Sequence, residues 1–232
     1  MKENQYVILV AGGQGARMNS SVPKQFLLIN NLPVIMYSMQ AFYEYNPECK
    51  QILVLPEAHL DYWNELCLNH QIKINYILAK GGETRFHSVR NGLNKIEGKE
   101  GLVAVHDAVR MLVSRDMISN SFEHAQKYGT AIPYVKSKDS LRSFIDGKSS
   151  IVNRDEIIRM QTPQTFHVSI LKEAYQQAYQ TNFTDDANLV EKLGAKLHLF
   201  EGEESNIKIT EPYDLLLAES ILNSRDPSAL PF

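Results

Sequence analysis

At residues 7–26 the chain reads VILVAGGQGARMNSSVPKQF, an apolar strand-like run followed by a glycine-rich turn. Val7–Val10 carries the strand signal. Glycines let backbone N–H groups approach a polyphosphate closely, and the turn has three of them: Gly12, Gly13 and Gly15. Arg17 and Lys24 add the positive charge that a transferring phosphoryl group requires. The stretch therefore predicts a phosphate-binding loop with its own cations.

Two better-known phosphate loops do not match this stretch. A P-loop requires GxxxxGK[ST], whereas Gly15 is followed by Ala16 and Arg17. The dinucleotide fingerprint requires GxGxxG, and Met18 stands where its third glycine would be. Because that glycine permits close packing of helix on strand, methionine cannot replace it. A Rossmann-type oxidoreductase is therefore disfavoured, and a glycine-rich turn with two surface cations is the purely structural alternative.

Strand and helix signals alternate along the chain, which indicates a parallel sheet with crossover helices. The predicted strands are Tyr6–Ala11, Gln51–Pro56, Lys73–Leu78, Leu102–His106, Thr130–Val135 and Lys196–Phe200. The predicted helices are Val34–Tyr45, Leu60–Asn69, His87–Ile96, Arg115–Tyr128, Val168–Tyr179 and Pro212–Leu222. Ligands bind beyond the carboxyl ends of parallel strands. The loops Gly12–Arg17, Gly81–Arg85 and Asp107–Arg110 each follow such a strand, so we expect them to surround one ligand.

Composition excludes several classes of protein. With 232 residues the chain is long enough for a large core, and its net charge of −3 argues against a nucleic-acid binder. No apolar run is long enough for a membrane span, and the chain does not start like a signal peptide, so we expect a cytoplasmic protein with no membrane partner. Cys49 and Cys67 predict free thiols, and the seven histidines lack the spacing of a transition-metal site.

Residues 136–158 interrupt the alternation. Leu141–Ile145 and Ser150–Val152 are strand-like, and Asp146-Gly147 between them is a strong hairpin signal. Because a lone two-stranded hairpin is marginal in water, this one must pack on another surface. The residues leave open whether that surface belongs to the same chain or to a second one.

Six motifs, in order over nearly the whole chain, resemble the sugar- and polyol-phosphate nucleotidyltransferases: AGGQGARM…PKQF, GGETRFHSVRNGL, VHDAVR, QTPQTF, TDDA and NIKIT. More narrowly they resemble the polyol-phosphate cytidylyltransferases, and above all those that use 2-C-methyl-D-erythritol 4-phosphate in the non-mevalonate isoprenoid pathway. The family run usually ends in proline after VHDAVR, where this chain has Met111. Ribitol-5-phosphate cytidylyltransferases share several of these motifs and are the alternative.

The resemblance implies an α/β fold: a Rossmann-like, mostly parallel sheet with helices on both faces and a protruding β-hairpin arm, as in nucleotide-diphospho-sugar transferases. Residues 1–232 would form one nucleotidyltransferase domain. The arm, about 136–158, would exchange with a second subunit in a homodimer. The implied reaction joins CTP to a polyol phosphate and releases pyrophosphate. Mg²⁺ would enter with the CTP phosphates, and no protein ligand for it is predicted, although Asp185 and Asp186 are adjacent carboxylates.

The resemblance also assigns residues to roles. Catalytic residues would be Arg17, Lys24 and Lys208. CTP would contact Ala11, Gly12, Gly13, Gly15, Gly81, Gly82, Glu83, Arg85 and Ser88. The polyol phosphate would contact Asp107, Arg110, Arg154, Thr162 and Thr184, with Arg154 serving the partner's site.

Each of four assignments has a structural alternative. Lys208 could be an ordinary surface charge, and Ser88 could simply lie in the first turn of a helix. Asp107 and Arg110 could form a structural ion pair. Thr184 could be a helix N-cap. A nucleotide sensor without catalysis is the remaining functional alternative, and in it the loss of Lys24 would change only the affinity for CTP.

Overall fold

The computed structural model describes residues 3–12 and 22–225. Its strands are β1 (Gln5–Val10), β2 (Leu28–Ile29), β3 (Leu32–Pro33), β4 (Lys50–Leu55), β5 (Tyr76–Lys80), β6 (Leu102–Asp107), β7 (Thr130–Lys136), β8 (Leu141–Ile145), β9 (Lys148–Val152), β10 (Ile158–Met160), β11 (Gln164–His167) and β12 (Leu199–Glu201). Its α-helices are α1 (Val34–Tyr45), α2 (Leu60–Asn69), α3 (Arg85–Leu93), α4 (Arg115–Tyr128), α5 (Val168–Ala174), α6 (Asp186–Lys192) and α7 (Pro212–Ser224).

The central sheet has the order β10–β7–β11–β6–β1–β4–β5, with β12 beside β7. β6, β1, β4 and β5 are parallel to one another. β11 runs antiparallel to β6 and to β7, and β10 runs antiparallel to β7. The predicted α/β fold with a mostly parallel sheet is therefore confirmed, with β11 as a reversed strand inside it.

The sheet is covered on both faces, which explains why its strands read as continuous apolar runs. Successive residues of a strand point to opposite faces. In β1, Val7 and Leu9 face a core layer that includes residues of α1 and α4. Ile8 and Val10 face a second layer that includes residues of α3, α5 and α6. Burial on both faces holds β1 in place, and the predicted phosphate-binding loop follows β1 in the sequence.

Local signals set the helix ends. Ser114 caps α4 by accepting a hydrogen bond from the Met117 N–H, and α4 ends at Gly129, whose φ of 86° suits glycine. Pro212 opens α7 behind a capping box of Glu211 and Asp214. The predicted bounds of α1, α2 and α4 match the structure.

Two predicted strands are displaced. The third begins at Tyr76 rather than Lys73, because β5 pairs residue by residue with β4 from Gln51 to Leu55. The last begins at Leu199 rather than Lys196, where it pairs with β7. Strand β11 had no separate prediction. Pairing partners set these bounds, and no local signal in the chain announces them.

β8 and β9 form the predicted hairpin, which pairs only with itself among the described residues. Asp146 and Gly147 both have positive φ, 49° and 75°, as a two-residue hairpin turn requires. Phe144, Ile145 and Ile151 are 75%, 67% and 83% exposed. The hairpin therefore presents bare apolar side chains. In the described part of the chain, no helix is long and apolar enough to cross a membrane.

Candidate active site

Two adjoining cavities open at the carboxyl edge of the parallel strands. The first, called here the glycine cavity, has a volume of about 200 Å³. Its walls come from the ends of β1 and β6, the start of α3 and the segments around residues 24 and 208. It is lined by Val10, Ala11, Gly12, Lys24, Gln25, Gly82, Glu83, Thr84, Arg85, Ser88, Asp107, Val109 and Lys208.

The second cavity, called here the threonine cavity, has a volume of about 280 Å³. It is lined by Arg85, Asp107, Arg110, Met160, Gln161, Thr162, Gln164, Thr184, Asp185 and Lys208. Three residues line both cavities: Arg85, Asp107 and Lys208. These three side chains form a common wall, so ligands in the two cavities would meet across it.

The loop after β1 places its first residues in the glycine cavity. The Ala11 N–H donates to the Val54 carbonyl at 3.0 Å, and the Ala11 carbonyl accepts from the Gln25 side chain at 2.9 Å. Gly12 also lines the cavity. Three predicted site residues, Gly13, Gly15 and Arg17, lie outside the described residues.

Lys24 is buried, and its ammonium group donates to the Ile209 carbonyl at 2.9 Å. That bond joins the segment after the phosphate loop to the segment that carries Lys208. The Ile209 N–H in turn donates to the Val109 carbonyl at 3.0 Å, beyond the end of β6. The two predicted catalytic lysines of the described residues therefore belong to one hydrogen-bonded unit and line the same cavity.

The start of α3 supplies another wall. Ser88 lies in the first turns of α3 and accepts a hydrogen bond from the Gly82 N–H at 3.0 Å. A Cβ at Gly82 would lie 2.4 Å from the Cβ of His87, so only glycine fits there. Gly81 does not line the cavity; its N–H donates to the Leu55 carbonyl at 2.7 Å. The predicted helical position of Ser88 and its place in the cavity are thus compatible.

Asp107 ends β6 and lies among three cations. Its carboxylate is 2.9 Å from the ammonium of Lys208, 3.5 Å from Nε of Arg110 and 3.6 Å from Nε of Arg85. Burial alone would raise the pKa of Asp107, but these three cations lower it well below its usual value. Asp107 is therefore a permanent anion, and it holds Lys208 and Arg85 at the wall that the cavities share.

Arg85 is also held from its other side. Its guanidinium lies 2.6 Å from the carboxylate of Asp186, which is fully buried. The other oxygen of Asp186 accepts the hydroxyl proton of Tyr175 at 2.5 Å. Burial disfavours the charged guanidinium, yet the carboxylates of Asp186 and Asp107 outweigh it and raise the pKa of Arg85. The sequence did not reveal this buried support for Arg85.

Arg110 and Thr162 both line the threonine cavity. Arg110 donates to the Asn206 carbonyl at 2.8 Å, and burial lowers its pKa. The hydroxyl oxygen of Thr162 accepts the Asp107 N–H at 3.1 Å. Asp107 and Arg110 are thus an ion pair, as the structural alternative held, but one that also lines the cavity. Met111, at the usual proline position, is buried in the core.

Thr184 lines the threonine cavity, but it is not the N-cap of α6. The cap is Asp185, whose side chain accepts the Asn188 N–H at 2.9 Å. Asp185 also accepts from the Gln164 amide at 2.8 Å, whereas Asp186 faces Arg85 and Tyr175. The capping alternative for Thr184 is therefore wrong by one residue, because the Asp185 carboxylate is the group that reaches the free N–H groups of the first turn.

Arg154 lies in neither cavity. It opens a short 3-10 helix after β9 and donates to the Lys138 carbonyl at 3.0 Å. Among the predicted polyol-phosphate residues, the four others all line the threonine cavity: Asp107, Arg110, Thr162 and Thr184. Arg154 is therefore the one predicted polyol-phosphate residue, all five being described, that does not line the threonine cavity of its own chain.

Sequence reasoning missed several lining residues: Gln25, Thr84, Val109, Met160, Gln161 and Gln164. Two signals could have found some of them. Thr84 precedes an apolar helical run and caps α3, as an N-cap threonine would. The glutamines lie inside motifs already recognised, PKQF and QTPQ. Met160 and Val109 carry no chemical signal in the sequence.

The glycine cavity is built to hold anions. Its described lining has three cationic side chains, Lys24, Arg85 and Lys208, and two carboxylates, Glu83 and Asp107. Gly12 and Gly82 line it without side chains of their own, so a ligand can come close to the backbone at these two positions. Such a site stabilises negative charge by position and electrostatics, which is what phosphoryl and nucleotidyl transfer require.

Comparisons with known proteins agree with this chemistry. A family model described as 2-C-methyl-D-erythritol 4-phosphate cytidylyltransferase (IspD) matches residues 5–224. A protein of that name from Bacteroides thetaiotaomicron is 45% identical over 218 residues, covering 94% of this chain and 99% of the relative. Another, from Clostridium botulinum, is 37% identical over 221 residues, covering 93% and 98%.

Solved structures give the same result. The 2-C-methyl-D-erythritol 4-phosphate cytidylyltransferase of Thermus thermophilus has a TM-score of 0.77 at 30% identity, over 96% of this chain and 100% of that one. The 4-diphosphocytidyl-2C-methyl-D-erythritol synthase of Anaerococcus prevotii has a TM-score of 0.80 at 26% identity, over 95% and 96%. The predicted resemblance is confirmed: the chain belongs to the IspD family, the 2-C-methyl-D-erythritol 4-phosphate cytidylyltransferases.

Proposed function

We propose that CTP binds in the glycine cavity and 2-C-methyl-D-erythritol 4-phosphate in the threonine cavity. As a member of the IspD family, the chain is a cytidylyltransferase. It transfers the cytidylyl group of CTP to this polyol phosphate, giving 4-diphosphocytidyl-2-C-methyl-D-erythritol and pyrophosphate in the non-mevalonate route to isoprenoids. Family membership favours this substrate over ribitol 5-phosphate, which the sequence motifs alone left open.

One observation carries the placement of the substrates: Arg85, Asp107 and Lys208 line both cavities. The reaction requires the phosphate of one substrate to attack the α-phosphate of the other. Two anions must therefore come together at the wall between their sites. Cations held in that wall offset the repulsion between them, and Asp107 keeps those cations in place.

The chemistry needs no general base. The attacking group is a phosphate monoester oxygen, which is already anionic at neutral pH. The α-phosphorus gains the new P–O bond while the bond to pyrophosphate breaks, and pyrophosphate leaves with those electrons. Lys24 and Lys208 would stabilise the negative charge on the α-phosphate oxygens during this exchange. Arg17 is proposed for the same role.

Mg²⁺ is proposed to arrive on the triphosphate of CTP. Among the described residues, no three His, Cys, Asp or Glu side chains lie close enough together to hold a metal ion. The carboxylates of Asp107 and Asp186 are already paired with Lys208 and Arg85. The Mg²⁺ ion would therefore be held mainly by phosphate oxygens and water, as is usual for Mg²⁺. Bound there, Mg²⁺ would neutralise charge on the triphosphate.

We further propose a homodimer in which each hairpin β8–β9 packs on a second subunit. The exposed Phe144, Ile145 and Ile151 support it, since bare apolar side chains of this size are typical of an interaction surface. Arg154 lies at the base of the hairpin and outside both cavities of its own chain. It would then bind the polyol phosphate in the threonine cavity of the partner subunit. The reaction would take place in the cytoplasm, consistent with two free cysteine thiols.

Pyrophosphate release tests the proposal. With CTP and 2-C-methyl-D-erythritol 4-phosphate we expect rapid release, and much slower release when ribitol 5-phosphate replaces the polyol or UTP replaces CTP. Lys24→Ala should lower turnover about 10²-fold or more, as for loss of a transition-state donor. A CTP sensor without catalysis would release no pyrophosphate even as the unaltered protein. In such a sensor, Lys24→Ala would only weaken the binding of CTP.

Lys80→Ala is the matched control for Lys24→Ala. Lys80 is an exposed lysine that pairs with Glu57 and lines neither cavity. Its loss should leave turnover within about twofold, as for a surface ion pair. Near-normal turnover in Lys24→Ala would contradict the assignment of the glycine cavity to CTP.

A further inference from the structure

His106 is a buried polar residue that the mechanism above does not use. It lies in β6, directly before Asp107, and its side chain is fully buried. The ring packs edge-on against Phe42 with 5.3 Å between centroids. Both ring nitrogens have partners: Nδ1 lies 3.1 Å from the Thr162 hydroxyl oxygen and Nε2 lies 3.2 Å from the Arg110 carbonyl oxygen.

The direction of these two hydrogen bonds is determined by the partners. The Arg110 carbonyl can only accept, so Nε2 carries a proton. Burial lowers the pKa of His106 to about 4, so the ring is neutral near pH 7 and Nδ1 has a lone pair. Nδ1 therefore accepts the hydroxyl proton of Thr162. The Arg110 carbonyl thus selects the tautomer, and the tautomer fixes the direction of the Thr162 hydroxyl.

The orientation of Thr162 has a chemical result. Its oxygen already accepts the Asp107 N–H at 3.1 Å, and its own proton points at His106. The remaining lone pair of the oxygen can only accept a hydrogen bond. Thr162 lines the threonine cavity, and the hydroxyl groups of a polyol bound there would supply such donors. Without His106, the Thr162 hydroxyl could rotate and present its proton instead.

We propose that His106 is a positioning residue for the polyol phosphate: it holds the Thr162 hydroxyl as an acceptor for a hydroxyl group of that substrate. The inference rests on the proposed function, because it needs the polyol in the threonine cavity. His106 touches no substrate itself and acts through Thr162. Binding of CTP, in the glycine cavity, should be independent of it.

Kinetics of three His106 variants test the proposal. His106→Phe keeps the ring packing but has neither nitrogen, and should raise KM for the polyol phosphate about tenfold, as for a lost positioning hydrogen bond. KM for CTP should stay within about twofold of its original value. His106→Asn restores an acceptor near the Nδ1 position and should recover most of the loss. His106→Gln restores a donor near the Nε2 position and should not.

A histidine elsewhere provides the control. His124 on α4 packs against Tyr128 and Phe200 and lines neither cavity. His124→Phe should change neither KM. Equal changes of both KM values in His106→Phe, or recovery by Gln and not by Asn, would overturn the proposal. NMR of the ¹⁵N-labelled unaltered protein should show His106 protonated at Nε2 alone, and protonation at Nδ1 alone would also overturn it.

Thr162→Val separates this inference from the proposed function. If the polyol binds in the threonine cavity, Thr162→Val raises its KM by itself, and combining it with His106→Phe adds little further because both remove the same contact. An unchanged KM in Thr162→Val contradicts the proposed placement of the polyol. A raised KM in Thr162→Val, with no effect of His106→Phe, contradicts only the role of His106.

Discussion

At the scale of single residues, the site consists of cations that are held by buried carboxylates. Asp107 pairs with Arg85, Arg110 and Lys208, and Asp186 supports Arg85 from behind. A carboxylate left without its cation would be buried and unpaired, which is costly. Each residue in this network therefore contributes both to stability and to the position of the charges that line the two cavities.

His106 should make the protein sensitive to mild acid. Burial lowers its pKa from 6.5 to about 4 in the folded state, so the unfolded chain takes up the proton first. Stability should therefore fall as the pH drops from about 6.5 to about 4, by roughly 3 kcal/mol at most. In His106→Phe this loss should be absent, which urea unfolding at several pH values would measure.

The titration of Asp107 does not interfere with that measurement. Its pKa is lowered by its three cations, so its contribution is present above its ordinary pKa of 3.8 and is lost only as the pH falls further. The window between pH 6.5 and 4 therefore belongs to His106 and not to Asp107. An unaltered acid slope in His106→Phe across that window would show that His106 is not its source.

At the scale of elements, the contact between the loop after β5 and helix α3 sets the shape of the glycine cavity. Gly82→Ala should disrupt it, because the new Cβ would lie 2.4 Å from the Cβ and 3.0 Å from the backbone carbon of His87. The start of α3, with Arg85 and Ser88, must shift. We expect KM for CTP to rise at least tenfold, as for a displaced positioning element.

Gly12→Ala is a milder substitution in the same cavity, with which Gly82→Ala can be compared. Among the described residues, the added Cβ there would meet the Ser88 hydroxyl alone, at 3.4 Å, which is near an ordinary contact distance. Its effect on KM for CTP should be smaller than that of Gly82→Ala, and steady-state kinetics with CTP as the varied substrate would rank the two. The reverse ranking would mean that α3 does not shape the nucleotide site.

The elements differ in how well the sequence predicted them. Helices α1, α2 and α4 carry apolar residues at helical spacing, α4 has a capping serine as well, and the bounds of all three were correct. The loops at the ends of parallel strands were found by the carboxyl-edge rule. β11 runs in reverse, so Thr162 reaches the same edge by preceding its strand, and only the family resemblance placed it in the site. The support of Arg85 by Asp186, 101 residues away, leaves no local trace.

At the scale of the whole molecule, the proposed exchange of hairpins makes each active site depend on two chains. Arg154→Ala and Lys24→Ala should each be nearly inactive as pure proteins. After subunit exchange in a mixture of equal parts, half of the dimers carry one of each chain, and one of their two sites has both residues intact. Activity should therefore recover to about a quarter of the unaltered level.

The same mixture distinguishes the alternatives. If Arg154 served the cavity of its own chain, every site in the mixture would lack either Arg154 or Lys24, and activity would not recover. Pyrophosphate release measured before and after exchange gives the answer. A mixture of Arg154→Ala with Arg159→Ala would serve as a control, since Arg159 pairs with the exposed Glu204 and lines neither cavity.

The reversed strand β11 makes one side of the site stiffer than the other. Because β11 is bonded to β6 and β7 on its two sides, Thr162 cannot slide past Asp107 without opening two ladders together. Lys208 lies outside helices and strands and its side chain is 41% exposed. The proposed polyol would therefore lie between a wall fixed by two strand ladders and a lysine whose position rests on its ion pair with Asp107. Selectivity among polyols of different length would then reside on the threonine side, and tolerance on the lysine side.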